Sequence, residues 1–297
     1  MTLRPVTRRQ FLERSAAMAP MALGGVALLS ACGDDSEDGN TMDRAVEQGF
    51  IRIAIANEPP YTEVNADGSV TGAAVEIPRR AFEIMGIAEL QPTTIEYGSM
   101  IPGLQAGRFD VVTAGLFMTP ERCEEVIYSE PDVCGTESFA VAAGNPLGLN
   151  SYEDVAAQSD AIVGVPGGSV EEEYAIEAGV PEERIEVIPD LRAGVDALKA
   201  GRIDAYGLPT ASIRELLDGE SDLEEAGPLP GIPIACAGAA FRQGDGDLRE
   251  AYNQALEQMK DSGDFDDILL EFGFDPSAAR AVTAEQLCAG EAPEFEG

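Results

Sequence analysis

The chain has 297 residues, with 19 basic against 54 acidic side chains, a formal net charge of −35 and no histidine. Such a chain repels a polyanion and has no basic stripe, which excludes nucleic acid as a partner. Without imidazole there is no Ser-His-Asp hydrolysis, no His-ligated zinc and no ordinary near-neutral acid–base residue, and no cofactor or metal is expected.

The chain opens on an export address. Thr7-Arg8-Arg9-Gln10-Phe11-Leu12 resembles a twin-arginine export signal, an apolar stretch runs over 16–29, and Leu29-Ser30-Ala31-Cys32 resembles a bacterial lipobox. The stretch is too short and too rich in glycine for a stable spanning helix, so residues 1–31 read as a signal peptide. An N-terminal anchor helix with an incidental cysteine is the plainer alternative. Processing would leave Cys32 as the lipid-bearing first residue, holding the protein at the outer face of the cell membrane. Arg4, Arg8, Arg9, Arg14 and Glu13 fall within the signal, so the remainder carries −38. That acidity reads either as an ordinary solvated surface or as adaptation to high salt, where screening makes dense charge tolerable. Residues 32–41 are polar and acidic and suit a flexible tether.

The folded part begins near Met42. Residues 51–56 alternate bulky apolar with small or charged side chains, which predicts a strand. A helical period runs over 75–86 and ends at Gly86. Further strands are expected over 93–96, 109–114 and 161–165. One echo stands out: Leu104-Gln-Ala-Gly107-Arg108-Phe-Asp110 returns as Leu198-Lys-Ala-Gly201-Arg202-Ile-Asp204. Each copy reads as a helix ending at a glycine, where positive φ costs little, followed at once by a strand. Chance can produce such a junction twice, but the similar placement of the copies favours two alike α/β lobes. A strand is then expected over 234–241 and a helix over 248–262. The expected division is lobe one over 42–141, lobe two over 142–236, a return to lobe one over 237–275, and a tail over 276–297. Two crossovers make a clamp, and the cleft between lobes is the default ligand site.

Of five cysteines, lipidation of Cys32 leaves Cys123, Cys134, Cys236 and Cys288. An even number outside the cytoplasm is consistent with two disulfides in any of three pairings. The wide spacing lacks the paired pattern of a zinc site.

Three stretches, AGLFMTPERCEEVIYSEP (114–131), VGVPGGSVEEEY (163–174) and LKAGRIDAY (198–206), resemble the amino-acid-type extracellular solute-binding proteins that serve ABC importers. The resemblance covers about Gly49 to Phe274. It implies a two-lobed periplasmic-binding-protein type II fold of α/β class, with a ligand cleft between lobes joined by two hinge strands. It also implies a monomer that delivers a small solute to ABC importer membrane subunits. Asn57-Glu58-Pro59-Pro60-Tyr61 and residues 115–122 are most similar to ectoine/hydroxyectoine-binding proteins, whose ligand joins a carboxylate to a delocalised amidinium.

The residue types agree with that ligand. Thr119-Pro120-Glu121 reads as a helix start, placing Arg122 in the first turn, where a cation opposes the helix dipole. A bound carboxylate compensates it through a bidentate pair; a bridge to Glu121 or a surface acid is the bland reading. Tyr61, Tyr97 and Phe117 are expected at strand ends on the cleft side, where aromatic faces attract a diffuse cation by roughly 0.5–2 kcal/mol each. Taken singly, each is more simply a core residue. Glu58 is expected to accept the ligand's N–H groups. Gly167-Gly168-Ser169 resembles the family's glycine turn at a helix start, with Gly168 and Ser169 meeting the carboxylate, although Ser169 also suits a plain N-cap.

Amino-acid binders of the family carry Ser or Thr where Phe117 stands and an acid near Pro209, which together grip a compact α-ammonium. Their absence favours a delocalised cation. A receptor for a polar amino acid or a betaine remains the alternative within the class. An exported dehydratase on the same fold, with Glu58 or Glu121 as general acid, is a different class; without histidine or a paired carboxylate motif, no enzyme is expected.

Overall fold

The computed structural model describes residues 40–291. The expected signal peptide, lipidated Cys32 and nearly all of the tether therefore lie outside the described residues.

Helix α1 (Thr41–Gln48) starts under the cap of Asn40 and stops at Gly49, whose φ of 76° is the left-handed stop that glycine permits. Strand β1 (Phe50–Ile55) follows, buried through Ile51, Ile53, Ala54 and Ile55. The hairpin β2 (Glu63–Val64) and β3 (Val70–Thr71) leads into α2 (Ala73–Ile84) and then β4 (Glu89–Thr94), which is where the strand expected over 93–96 actually lies. Helix α3 (Met100–Gln105), β5 (Val111–Val112), α4 (Pro120–Glu125) and β6 (Ile127–Tyr128) complete the first pass through lobe one.

Strand β7 (Val133–Gly135) leaves that lobe and β8 (Glu137–Ala142) enters the second. There follow α5 (Tyr152–Ala157), β9 (Val163–Pro166), α6 (Val170–Glu177), β10 (Ile185–Ile188), α7 (Leu191–Lys199), β11 (Ala205–Pro209), α8 (Thr210–Leu216) and β12 (Leu223–Ala226). The return runs through β13 (Ala235–Ala237) and β14 (Ala240–Phe241) into α9 (Gly246–Ser262) and α10 (Asp264–Glu271). Helices α11 (Pro276–Ala281) and α12 (Ala284–Cys288) form the tail.

Two sheets of like topology result. Their orders are β4-β1-β5-β14-β6 and β10-β9-β11-β8-β12. In each, three strands run parallel with the first in the middle, and two antiparallel strands extend the far edge. The repeated LxAGRxD segment occupies the same place in both, before the third parallel strand. Its aspartate does the same work each time. Asp110 accepts from the Arg52 N–H at 3.2 Å, and Asp204 from the Ile162 N–H at 2.9 Å, fastening the start of the neighbouring strand. Asp110 also gathers Arg44, Arg52 and Arg242. Burial pushes its carboxyl up, but the hydrogen bonds and charge of Arg52 foremost, with the charge of Arg44, hold it below the usual range.

Side-chain alternation builds the second lobe's core on both faces of its sheet. Phe139, Val141 and Ala205 face one layer, while Ala140, Tyr206 and Leu208 face the other. Two sequence expectations change here. Strand β8 pairs with β11 and β12, so lobe two begins at the β7–β8 junction and not at 142. The single strand expected over 234–241 is two strands in different sheets. At Gly238, where the chain passes between them, an added Cβ would meet Met118 Cε at 2.6 Å and Ser129 Oγ at 2.8 Å, so a side chain there would have to displace both.

The hinge is the antiparallel pair β7–β13, in which Cys134 lies opposite Cys236 and is bonded to it. The second disulfide joins Cys123 on α4 to Cys288 on α12, fixing the tail against lobe one. Each closes a loop of more than 100 residues. The chain-entropy model assigns a closure of that size about 4–5 kcal/mol.

Candidate functional site

The carboxyl ends of β1, β5, β9 and β11 point toward one another across the hinge, the usual location of ligand crevices in α/β sheets. A cavity of about 10 Å³ lies there, room for about one water molecule in this closed arrangement. Six of the seven candidate residues line it: Glu58, Tyr61, Tyr97, Phe117, Arg122 and Ser169. Gly168 does not.

Arg122 reaches its place through local chain chemistry. Thr119 caps α4, its hydroxyl accepting from the Arg122 N–H at 3.3 Å, and Pro120 presets the first turn. The guanidinium donates to the Phe117 carbonyl at 2.8 Å and across the cleft to the Gly168 carbonyl at 3.1 Å. Glu173 stands 3.9 Å away and is half exposed, a weak partner for a cation that is 8% exposed.

Glu58 follows β1 and is 4% exposed. It accepts from Ser212 Oγ of lobe two at 2.8 Å and stands 3.4 Å from the Tyr97 hydroxyl, which also donates to the Ala114 carbonyl at 3.1 Å. Burial, and then the charge of Glu171, push its carboxyl up to about 8, against the pull of those two hydroxyls. A ligand cation is the natural partner for such a group.

The aromatics are both wall and core. Tyr61 meets Phe117 edge-on at 6.0 Å and Phe274 at 4.8 Å, and both Tyr61 and Phe117 belong to the core of lobe one. Gly115 packs beneath them: its φ is 72°, and a Cβ there would meet the Tyr61 ring at 2.9 Å.

Ser169 caps α6, accepting from the Glu172 N–H at 3.4 Å. The Gly168 N–H is taken by Glu172 Oε2 at 2.6 Å, so it does not point at the cavity as expected. Gly168 instead abuts Gly98 of lobe one, and the Gly98 N–H donates to the Gly167 carbonyl at 3.2 Å. Together with Arg122–Gly168 and Ser212–Glu58, this bond holds the two lobes shut.

The sequence did not single out Gly115, Val170 or Glu171, which also line the cavity. The spacing of Glu171 and Ala175, one turn apart on α6, is the only signal that could have marked Glu171 as inward-facing. Pro209, read above as a missing acid, forms part of the wall.

Known proteins agree with this architecture. Residues 51–275 match the family model described as bacterial extracellular solute-binding proteins, family 3. The probable amino-acid ABC transporter periplasmic-binding protein y4tE of Sinorhizobium fredii is 34% identical over 259 residues, covering 84% of this chain and 86% of the relative. The arginine-binding extracellular protein ArtP of Bacillus subtilis is 27% identical, over 80% of this chain and 89% of its own. Among solved structures, EhuB in complex with hydroxyectoine is 50% identical with a TM-score of 0.83, covering 84% of this chain and 98% of that one. An ancestral arginine-binding protein bound to arginine is 26% identical with a TM-score of 0.67, over 76% and 98%. With its two like lobes, paired hinge strands and lined cleft, this chain belongs to the bacterial extracellular solute-binding proteins, family 3.

Proposed function

We propose that the protein captures ectoine or hydroxyectoine outside the cell membrane by closure of this cleft, and presents it to the membrane subunits of an ABC importer. The observation that carries the reading is the grouping of Arg122, Glu58, Tyr61, Tyr97 and Phe117 around one small cavity with Pro209 in its wall. Arg122 takes the carboxylate through its guanidinium fork. The aromatic faces and Glu58 take the delocalised cation, which is bulkier and less hydrated than an α-ammonium. The likeness to EhuB, solved with hydroxyectoine, supports the same ligand class. Glutamate lacks the delocalised cation and glycine betaine lacks N–H donors, while arginine carries an additional α-ammonium.

Isothermal titration is expected to give tight binding of ectoine and hydroxyectoine, and weak or no binding of glycine betaine, glutamate and arginine. Tight glutamate or arginine binding without ectoine binding would sink the assignment.

The protein acts as a monomer tethered by lipid on Cys32 after export through the twin-arginine route, a reading supported by the Arg8-Arg9 motif and the lipobox. Its acidity suits a cell exposed to high salt, where compatible solutes matter. Cys32→Ser is expected to move the protein from the membrane fraction to the soluble one; retention on the membrane would contradict lipid anchoring.

A further inference from the structure

The cleft holds more acid than its reading so far uses. Glu171, in the first turn of α6, is 3% exposed and lines the cavity opposite Glu58. Behind it, Glu137 at the start of β8 is 1% exposed, and neither of its oxygens meets a donor among the described residues. The Glu137 and Glu171 side chains lie within hydrogen-bonding reach of each other, which two bare carboxylates in a buried site do not tolerate. Both groups come from lobe two, so the pair exists whether the cleft is open or shut. Tyr61 of lobe one also lines the cavity, and its hydroxyl, beside Gly135, lacks a partner among the described residues.

The surroundings offer little positive charge. Arg122 is the cation facing Glu171, and Glu58 the opposing acid. Tyr61, Tyr97, Tyr152, Tyr174 and Tyr206 surround them, and burial before all else keeps these phenols neutral. Burial likewise raises both carboxyls, Glu137 well above the ordinary range, with the charge of Glu171 next in importance.

We propose that Glu137 carries a proton and donates it to Glu171, and that Glu171, so held, is the second acidic anchor of the cleft, accepting an N–H or O–H donor of the ligand from the lobe opposite Glu58. The ligand is then gripped at its positive end by one carboxylate from each lobe, so that only a solute presenting donors on two sides draws the lobes together. This assignment rests on the ectoine-type reading of the cleft and adds a specificity-determining residue to it.

Two measurements test it. In titrations with ectoine and hydroxyectoine, Glu171→Gln is expected to weaken binding about tenfold or more, the loss of one charge-assisted bond. Glu137→Gln, whose amide donates to Glu171 as the protonated acid does, is expected to stay within about threefold of wild type. The ligand-free melting temperature of neither variant falls, because each removes a buried acid. In infrared difference spectra of ligand-free wild type against Glu137→Gln at neutral pH, the carbonyl stretch of a protonated carboxyl is expected in wild type and absent from the variant. Glu58 contributes equally to both spectra and cancels. Unchanged affinity in Glu171→Gln, or no protonated carboxyl lost in Glu137→Gln, overturns the proposal. If wild type binds neither ectoine, the ligand reading fails by itself, and the infrared band still decides the carboxyl pair.

Discussion

Arg122→Ala is expected to remove measurable binding of ectoine while leaving the ligand-free protein folded. The guanidinium is 8% exposed, and within the cavity lining it is the group placed to meet a carboxylate. Truncating one partner of a desolvated, hydrogen-bonded charge pair costs roughly 2–5 kcal/mol, or about 30- to 5,000-fold in affinity. Much of that loss comes from stranding the ligand carboxylate in a site whose other charges are acids. The same side chain bridges the lobes through the Gly168 carbonyl, so its removal also weakens the closed form. Arg122→Lys separates the two contributions. Its ammonium keeps the charge but cannot donate along the guanidinium's two directions at once, so an intermediate affinity is expected. Titration calorimetry with melting curves of the ligand-free variants decides the matter. An Arg122→Ala protein that binds within about tenfold of wild type would place the carboxylate elsewhere.

How much of this was legible beforehand depended on whether the signal was local. The alternation over 51–56 is a strand because Ile51, Ile53 and Ile55 must face one layer, with the small Ala54 buried on the opposite face, and the repeated LxAGRxD carries both the glycine stop and the aspartate that fastens the neighbouring strand. The Thr119-Pro120 helix start is equally local, and from it alone the position of Arg122 follows. The lobe boundary was not local. Strand β8, ESFAVA, reads as an apolar strand wherever it sits, and only its pairing with β11 and β12 assigns it to lobe two. Residues 234–241 are apolar throughout, and only the pairing of β13 with β7 and of β14 with β5 and β6 divides them. Glu137 and Glu171 were invisible for another reason. Among 54 acidic residues, Glu137 has no distinguishing neighbours in sequence, and Glu171 has only its one-turn spacing to Ala175. The contact of Gly168 with Gly98 was hidden likewise, since it joins residues 70 positions apart.

That contact yields the second large effect. Gly168 has φ of 71°, and a Cβ built on it falls 2.5 Å from Gly98 Cα and 2.7 Å from Gly98 N, both backbone atoms of the opposite lobe. Backbone cannot step aside as a side-chain tip does, so in Gly168→Ala the lobes must stop short of the geometry seen here. The methyl costs nothing between lobes that have swung apart. Overpacking of this kind costs about 1–3 kcal/mol, incurred in the closed form alone, so affinity for ectoine is expected to fall by roughly 5- to 150-fold. A left-handed alanine also costs about 1–2 kcal/mol of stability in either form, which by itself would not touch binding. Gly179→Ala isolates that part. Gly179 lies in the same lobe with φ of 85° and has no atom within 4 Å of its added Cβ. The expected result is therefore two variants with similar losses of melting temperature, of which only Gly168→Ala binds poorly. Equal affinities would mean that the lobes need not approach this closely to hold the ligand, and that the contact between Gly98 and Gly168 is not what limits closure.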